Sequence, residues 1–177
     1  MNKLTIHPLA QDDIPGCARL MADSPLWVRY GVTLASAQAR LENGLAAGAA
    51  IFVAETNGAV NGFVWCIERG AFARSGYVSL IGVRPGLTGG GVGAGLLAHA
   101  EAFLGRTSPD VFLTVSDFNQ DAQRFYQRHG YAQVGALPDY VISGVTELIY
   151  WKRRGVPNPT GSAAGDPGHP AGHPPKD

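Results

Sequence analysis

Apolar positions in the first 154 residues switch between a period of two and a period near 3.6. Alternating or short continuous apolar runs predict strands at residues 4–7, 50–55, 60–68, 77–83, 111–115, 131–134 and 144–151. Helical spacing appears at residues 12–22, where Ile14, Cys17, Ala18 and Met21 share one face. A second helix follows Thr33, its expected N-cap, with Gly44 near its end. A third covers residues 91–104, with Val92, Leu96, Leu97, Ala100, Phe103 and Leu104 recurring at helical spacing, and a fourth covers residues 119–128, stopped by His129-Gly130. Asn57-Gly58 between two strand runs predicts a tight hairpin. Residues 24–30 read as an aromatic loop.

The resulting order, β-α-α-β-β-β-α-β-α-β-β, predicts an α/β mixed sheet with helices packed on its faces. Strands 77–83 and 111–115, joined by one helix, should run parallel through a right-handed crossover. The pattern stops after Arg154. Residues 155–177 are dominated by Gly, Pro, Ala and Ser without periodicity. Such a segment buries too little apolar surface to offset its ordering entropy. The expected organisation is one domain over residues 1–154 and a flexible tail, with His169 and His173 as solvated residues rather than metal ligands.

Composition narrows the function. Lys plus Arg equals Asp plus Glu, 14 each, so the formal charge is zero. No global field recruits nucleic acid or an anionic membrane, and an anionic ligand must be gripped locally. No run approaches the roughly 18 apolar residues of a membrane span. The start lacks the pattern of a secretory signal. Cys17 and Cys66 stand in apolar surroundings without metal or disulfide spacing, which predicts buried free thiols. A soluble, cytoplasmic protein without a metal site is expected.

One stretch resists the helical pattern around it. RPGLTGGGVGAGLL, residues 84–97, has glycine at 86, 89, 90, 91, 93 and 95. Each helical glycine costs roughly 1 kcal/mol against alanine. A helix start presents unpaired N–H groups and partial positive charge, and missing side chains let an anion reach them. Strand, glycine-rich turn and helix together suit a phosphate. The plainer alternative is that the glycines only permit a tight turn or close helix–sheet packing. A Walker A loop fails, because no Lys-Ser/Thr follows. Gly89-x-Gly91-x-x-Ala94 formally fits a dinucleotide fingerprint, but that loop belongs after a first strand, not mid-chain.

LIGVRPGLTGGGVGAGLLAHAEAF resembles motif A of the GNAT superfamily of N-acetyltransferases. LTVSDFNQDAQRFYQRHGYAQVG resembles the family's next motif, with Asn119, Ala122, Phe125, Tyr126, Gly130 and Tyr131 at the matching spacing. The resemblance implies the acyl-CoA N-acyltransferase fold, with its central parallel strands splayed, and acetyl-CoA as cosubstrate. It implies that backbone N–H groups of Thr88, Gly89, Gly90, Gly91, Val92 and Gly93 hold the CoA pyrophosphate. It implies that main-chain groups of Ile81, Gly82 and Val83 bond the pantetheine arm, with a further contact from Asn119. Thr88 and Gly90 depart from the pattern, which often has Gln or Arg and then Lys or Arg there; Arg84, Arg124 and Arg128 are candidates to compensate.

The same resemblance makes Tyr126 the general acid, a phenol protonated at neutral pH; by spacing alone it reads as a core tyrosine, packing the helix with Phe125. Asn119 is equally a helix N-cap. The base stays open among Glu68, Asp117, Glu147 and a water chain. Trp27, Tyr30 and Tyr140 are expected in loops near the acceptor's mouth, or covering the core. The implied activity is transfer of acetyl to a primary amine of a small molecule or peptide in a ternary complex. A catalytically silent CoA-binding regulatory module on the same fold is the alternative. A homodimer is compatible with either.

Overall fold

The computed structural model describes residues 4–87 and 89–155. Seven strands form one mixed sheet: β1 (Thr5–Pro8), β2 (Ala50–Thr56), β3 (Ala59–Ala71), β4 (Ser75–Val83), β5 (Asp110–Ser116), β6 (Ala132–Pro138) and β7 (Thr146–Arg153). Their spatial order is β1-β2-β3-β4-β5-β7-β6. Five α-helices accompany them: α1 (Ile14–Ala22), α2 (Pro25–Arg29), α3 (Leu34–Ala46), α4 (Val92–Leu104) and α5 (Gln120–Arg128). The expected mixed α/β sheet is present, and its element order holds with one further helix, α2, between β1 and β2. Residues 156–177 of the expected tail lie outside the described residues.

The helices divide between the two faces. Leu96, Leu97, Ala100 and Leu104 of α4 form one buried stripe and pack with Tyr126 of α5 against Val111, Leu113 and Val115. Ile14, Cys17, Ala18 and Met21 of α1 and Leu41 of α3 pack on the other face against Ile51, Val53 and Phe63. Both thiols are free and buried. Burial pushes each up to about 12, because the thiolate is poorly solvated there. Among the described residues no helix is long and apolar enough to cross a membrane.

Three readings need correction. Residues 24–30 are not a loop: Pro25–Arg29 is a short helix with Pro at its start, a position that suits proline's fixed φ. Trp27, on that helix, is only 8% exposed and stacks on Phe63 at 5.6 Å, so it belongs to the core. The strand expected to end at Glu68 runs on to Ala71. Its hairpin turns through Phe72 and Ala73 at φ 55° and 53°, without the Gly or Asn that would announce it. The Asn57-Gly58 hairpin does carry its signal, with both residues at positive φ.

A one-residue irregularity organises the centre of the sheet. Cys66 pairs with Val78 but its neighbour Trp65 pairs with Leu80, so Ser79 is an extra residue on β4. A bulge bends a strand and inverts the faces of the side chains beyond it. Val78 faces the α4 side, whereas Leu80, two residues on, packs on the α1 side. Pairing between β4 and β5 is parallel, as expected, and covers only Gly76–Val78 against Val111–Leu113. Beyond the bulge the two strands part into a notch.

Candidate active site

The notch begins where the ladder ends. On one side β4 still pairs Ile81, Gly82 and Val83 with Val64, Phe63 and Gly62 of β3. On the β5 side the ladder has stopped at Val78. Alternate residues along 79–83 therefore turn N–H and C=O groups into the gap.

The chain leaves β4 through a turn built by Pro85 and Gly86, closed by Leu87 N–H donating to the Arg84 carbonyl at 3.1 Å. Gly89 and Gly91 then take φ values of 90° and 82°, the left-handed region that other residues enter at a penalty. Among the described residues, a Cβ at Gly89 or Gly91 would meet nothing within 4 Å. Helix–sheet packing therefore does not explain these two glycines. The contrast is Gly62, whose Cβ would sit 2.6 Å from the Gly82 carbonyl oxygen. Gly91 is the N-cap of α4 and offers no side-chain bond to it. The first N–H groups of α4 thus have neither an intrahelical nor a capping acceptor. Positive φ at alternate residues turns successive N–H groups toward one concavity, an anion nest. Thr88 lies outside the described residues.

Gly93 sits two residues beyond Gly91, with room for a Cβ at 3.5 Å from Val83 and 3.6 Å from Phe125. The helix start thus lies against the end of β4 and against α5, on the α4 face of the notch. Asn119 caps α5, its Oδ1 accepting from Ala122 N–H at 3.2 Å. Its Nδ2 has no protein acceptor among the described residues.

Tyr126 is 6% exposed. It packs edge-on against Phe125 and Tyr131, with ring centres 5.2 and 5.7 Å away. Its hydroxyl makes no hydrogen bond to another described residue, and it is not one of the sealed polar atoms. Burial pushes the phenol well above its ordinary value, and Tyr77 adds to this. The group is therefore neutral through the physiological range.

The candidate cations and carboxylates separate clearly. Arg124 is paired with Asp121 at 2.5 Å, while Arg84 and Arg128 are exposed and lack an ion pair among the described residues. Glu68 and Asp117 are exposed, and Asp117 accepts from Thr146 N–H at 3.3 Å. Glu147 is only 5% exposed. The Tyr30 hydroxyl donates to Glu147 Oε1 and lies 2.5 Å from Ser116 Oγ. Burial pushes the Tyr30 phenol up, and its bond to Glu147 adds to this. Tyr140 is 67% exposed. A separate group, His7, Asp13 and Glu55, lies at the β1 edge, with His7 Nδ1 3.8 Å from Asp13 and Nε2 3.5 Å from Glu55.

A mixed sheet opened at the carboxyl ends of its parallel pair defines an α/β protein, and in such sheets the crevice where strand order breaks is the general place for a ligand. The acetyltransferase (GNAT) family model matches residues 17–131, and the chain belongs to that family. No curated protein sequence matches it significantly. Among solved structures it is similar to Ard1 from Thermoplasma volcanium, at 22% identity and TM-score 0.71, covering 85% of this chain and 97% of that one. It is also similar to a ribosomal-protein-alanine N-acetyltransferase from Brucella melitensis, at 20% identity and TM-score 0.67, covering 84% and 99%. A third similar structure is yncA from Salmonella typhimurium with its cofactor acetyl-CoA, at 16% identity and TM-score 0.67, covering 90% and 100%.

Proposed function

We propose that this GNAT protein is an acetyl-CoA-dependent N-acetyltransferase acting on a primary amine of a small molecule or peptide, by direct transfer in a ternary complex. The observation that carries the reading is the side-chain-free start of α4 beside the freed edge of β4. Gly89 and Gly91 hold left-handed conformations beside open space, which fits a diphosphate seated on backbone N–H groups. Acetyl-CoA, when bound, supplies an acetyl group activated as a thioester.

The chain's own residues divide the remaining work. N–H groups of Gly89, Gly91, Val92 and Gly93 hold the diphosphate, almost wholly through backbone, since Gly90 brings no cation and its own N–H donates to the Leu87 carbonyl at 3.2 Å. Main-chain groups of Ile81, Gly82 and Val83 align the pantetheine arm along the unpaired edge of β4, and Asn119 reaches it with its free amide donors. Tyr126 donates a hydrogen bond, and then its proton, from Oη to the leaving sulfur. Burial keeps the phenol protonated but also makes it a reluctant acid, so its share falls near the low end of the usual range, about 10²-fold.

Two unpaired thiols suit a reducing cytoplasmic setting. Net neutrality suits a small or peptidic acceptor rather than nucleic acid or membrane. The test is thiol release from acetyl-CoA across a panel of small amines, amino acids, aminoglycosides and peptide N-termini. Amine-dependent release is expected. Tight CoA binding without release across the panel would instead assign the chain to the silent regulatory class.

A further inference from the structure

The three residues Tyr30, Ser116 and Glu147 come from distant parts of the chain. Tyr30 ends α2, Ser116 ends β5, and Glu147 is Ser116's cross-strand partner on β7. Ser116 alternates with Val111, Leu113 and Val115, which belong to the α4 and α5 core. It therefore points to the opposite face, the one covered by α1, α2 and α3. The glycine turn and the Glu147 group thus lie on opposite faces of the sheet, and the notch between β4 and β5 connects them.

Glu147 is an unusual carboxylate in this molecule. Among the described residues only Asp13 and Glu147 are buried acids. Asp13 has a local task, accepting Ala10 N–H at 2.8 Å. Glu147 has no ion pair among the described residues. Both hydroxyls meet the same oxygen, Oε1, with Ser116 at 3.5 Å. Oε2 has no protein donor among the described residues, yet it is not sealed from solvent. The Arg29 guanidinium, close enough to act electrostatically on Tyr30, is held over the Phe118 ring at 3.8 Å, and Phe118 in turn tilts against Tyr30 at 6.4 Å. A buried carboxylate with one satisfied oxygen and one open oxygen lacks a positive partner. An alkylammonium group supplies that charge and three donors.

We propose that Glu147, positioned by Tyr30 and Ser116, is the seat of the acceptor's ammonium group and accepts its proton. The N–H bond of the ammonium breaks, its electron pair stays on nitrogen as the nucleophile, and the proton forms an O–H bond at Glu147 Oε2. The class of acceptor is then a primary aliphatic amine that is protonated in solution, presented beside aromatic surface from Tyr30 and Phe118. This inference rests on the acetyltransferase reading for its second substrate, but the seat itself is testable by binding.

The test uses the full chain with CoA and two probes of equal shape, benzylammonium and benzyl alcohol, titrated by NMR at pH 7. The expected result is at least tenfold tighter binding of the ammonium, with shifts centred on Tyr30, Ser116 and Glu147. Glu147→Gln keeps an acceptor for both hydroxyls, so CoA affinity and melting temperature should hold while the preference for the cation disappears. Equal preference in wild type and Glu147→Gln overturns the proposal. If the variant does not fold, wild-type shifts that map away from these three residues overturn it. Turnover separates the two claims. Acetylation of benzylamine with kcat and KM unchanged in Glu147→Gln leaves the acetyltransferase reading standing and removes the seat. Glu147-dependent ammonium binding without acetylation of any amine does the reverse.

Discussion

Replacing Gly91 with alanine separates a ligand-binding glycine from a structural one. Gly91 has φ 82° and ψ −8°, and leaving glycine's freedom there costs roughly 1–2 kcal/mol. The added Cβ meets no atom within 4 Å, so no packing penalty joins it. At about 2–4 °C per kcal/mol for a chain of this size, the melting temperature should fall by about 2–8 °C and the protein should stay folded. The Cβ does project into the space assigned to the diphosphate. Losing one charge-assisted hydrogen bond of about 1.5–3 kcal/mol weakens CoA roughly 10- to 100-fold. Gly86→Ala is the matched control. Its φ is 87°, and its Cβ also meets nothing within 4 Å, but it lies in the preceding turn. Calorimetric titration of CoA with parallel melting curves should show similar stability losses and a loss of affinity at Gly91 alone. Equal CoA affinity in the two variants would refute the placement of the diphosphate.

Three further outcomes are expected. Tyr126→Phe should lower kcat by about 10²-fold while CoA affinity by titration holds, because its hydroxyl bonds no other described residue; equal loss of both would remove the acid role. Thr33→Ala removes a cap that accepts Ser36 N–H at 3.2 Å and should cost about 1 kcal/mol in urea melts, leaving CoA binding intact. Stability should also fall in alkali. Cys17 and Cys66 rise from 9.0 to about 12 on folding; below pH 9.0 both states keep the thiols protonated, and above it only the unfolded chain ionises. Each thiol then removes about 1.4 kcal/mol per pH unit until the folded value is reached. Urea melts between pH 9 and 10, below the range where the buried phenols Tyr126 and Tyr131 contribute, should show a shallower pH slope when Cys17→Ala and Cys66→Ala are combined.

What was legible in the sequence was local. Periodicity marked the strands and long helices, Asn57-Gly58 announced its turn, and Asn119 and Thr33 announced their caps. The glycines of residues 86–95 pointed to an anion, and only their pairing with the Asn119 and Tyr126 motif narrowed this to CoA. The Ser79 bulge left no trace, because an extra residue is defined against Trp65 and Cys66 of a partner strand. Helix α2 spans five residues, too short for periodicity, although Ser24-Pro25 is a recognisable start. Glu147 stood beside Glu68 and Asp117 as an equal candidate, since nothing local sets it apart. Its burial comes from folding Tyr30 onto it across 117 positions.

The decisive measurement is the mass of an amine acceptor after incubation with acetyl-CoA and the full chain, read beside released thiol. One acetyl group gained per thiol released, and dependent on both protein and amine, is the predicted result. Thiol release that leaves every amine unmodified, or CoA bound without turnover across the panel, would contradict it.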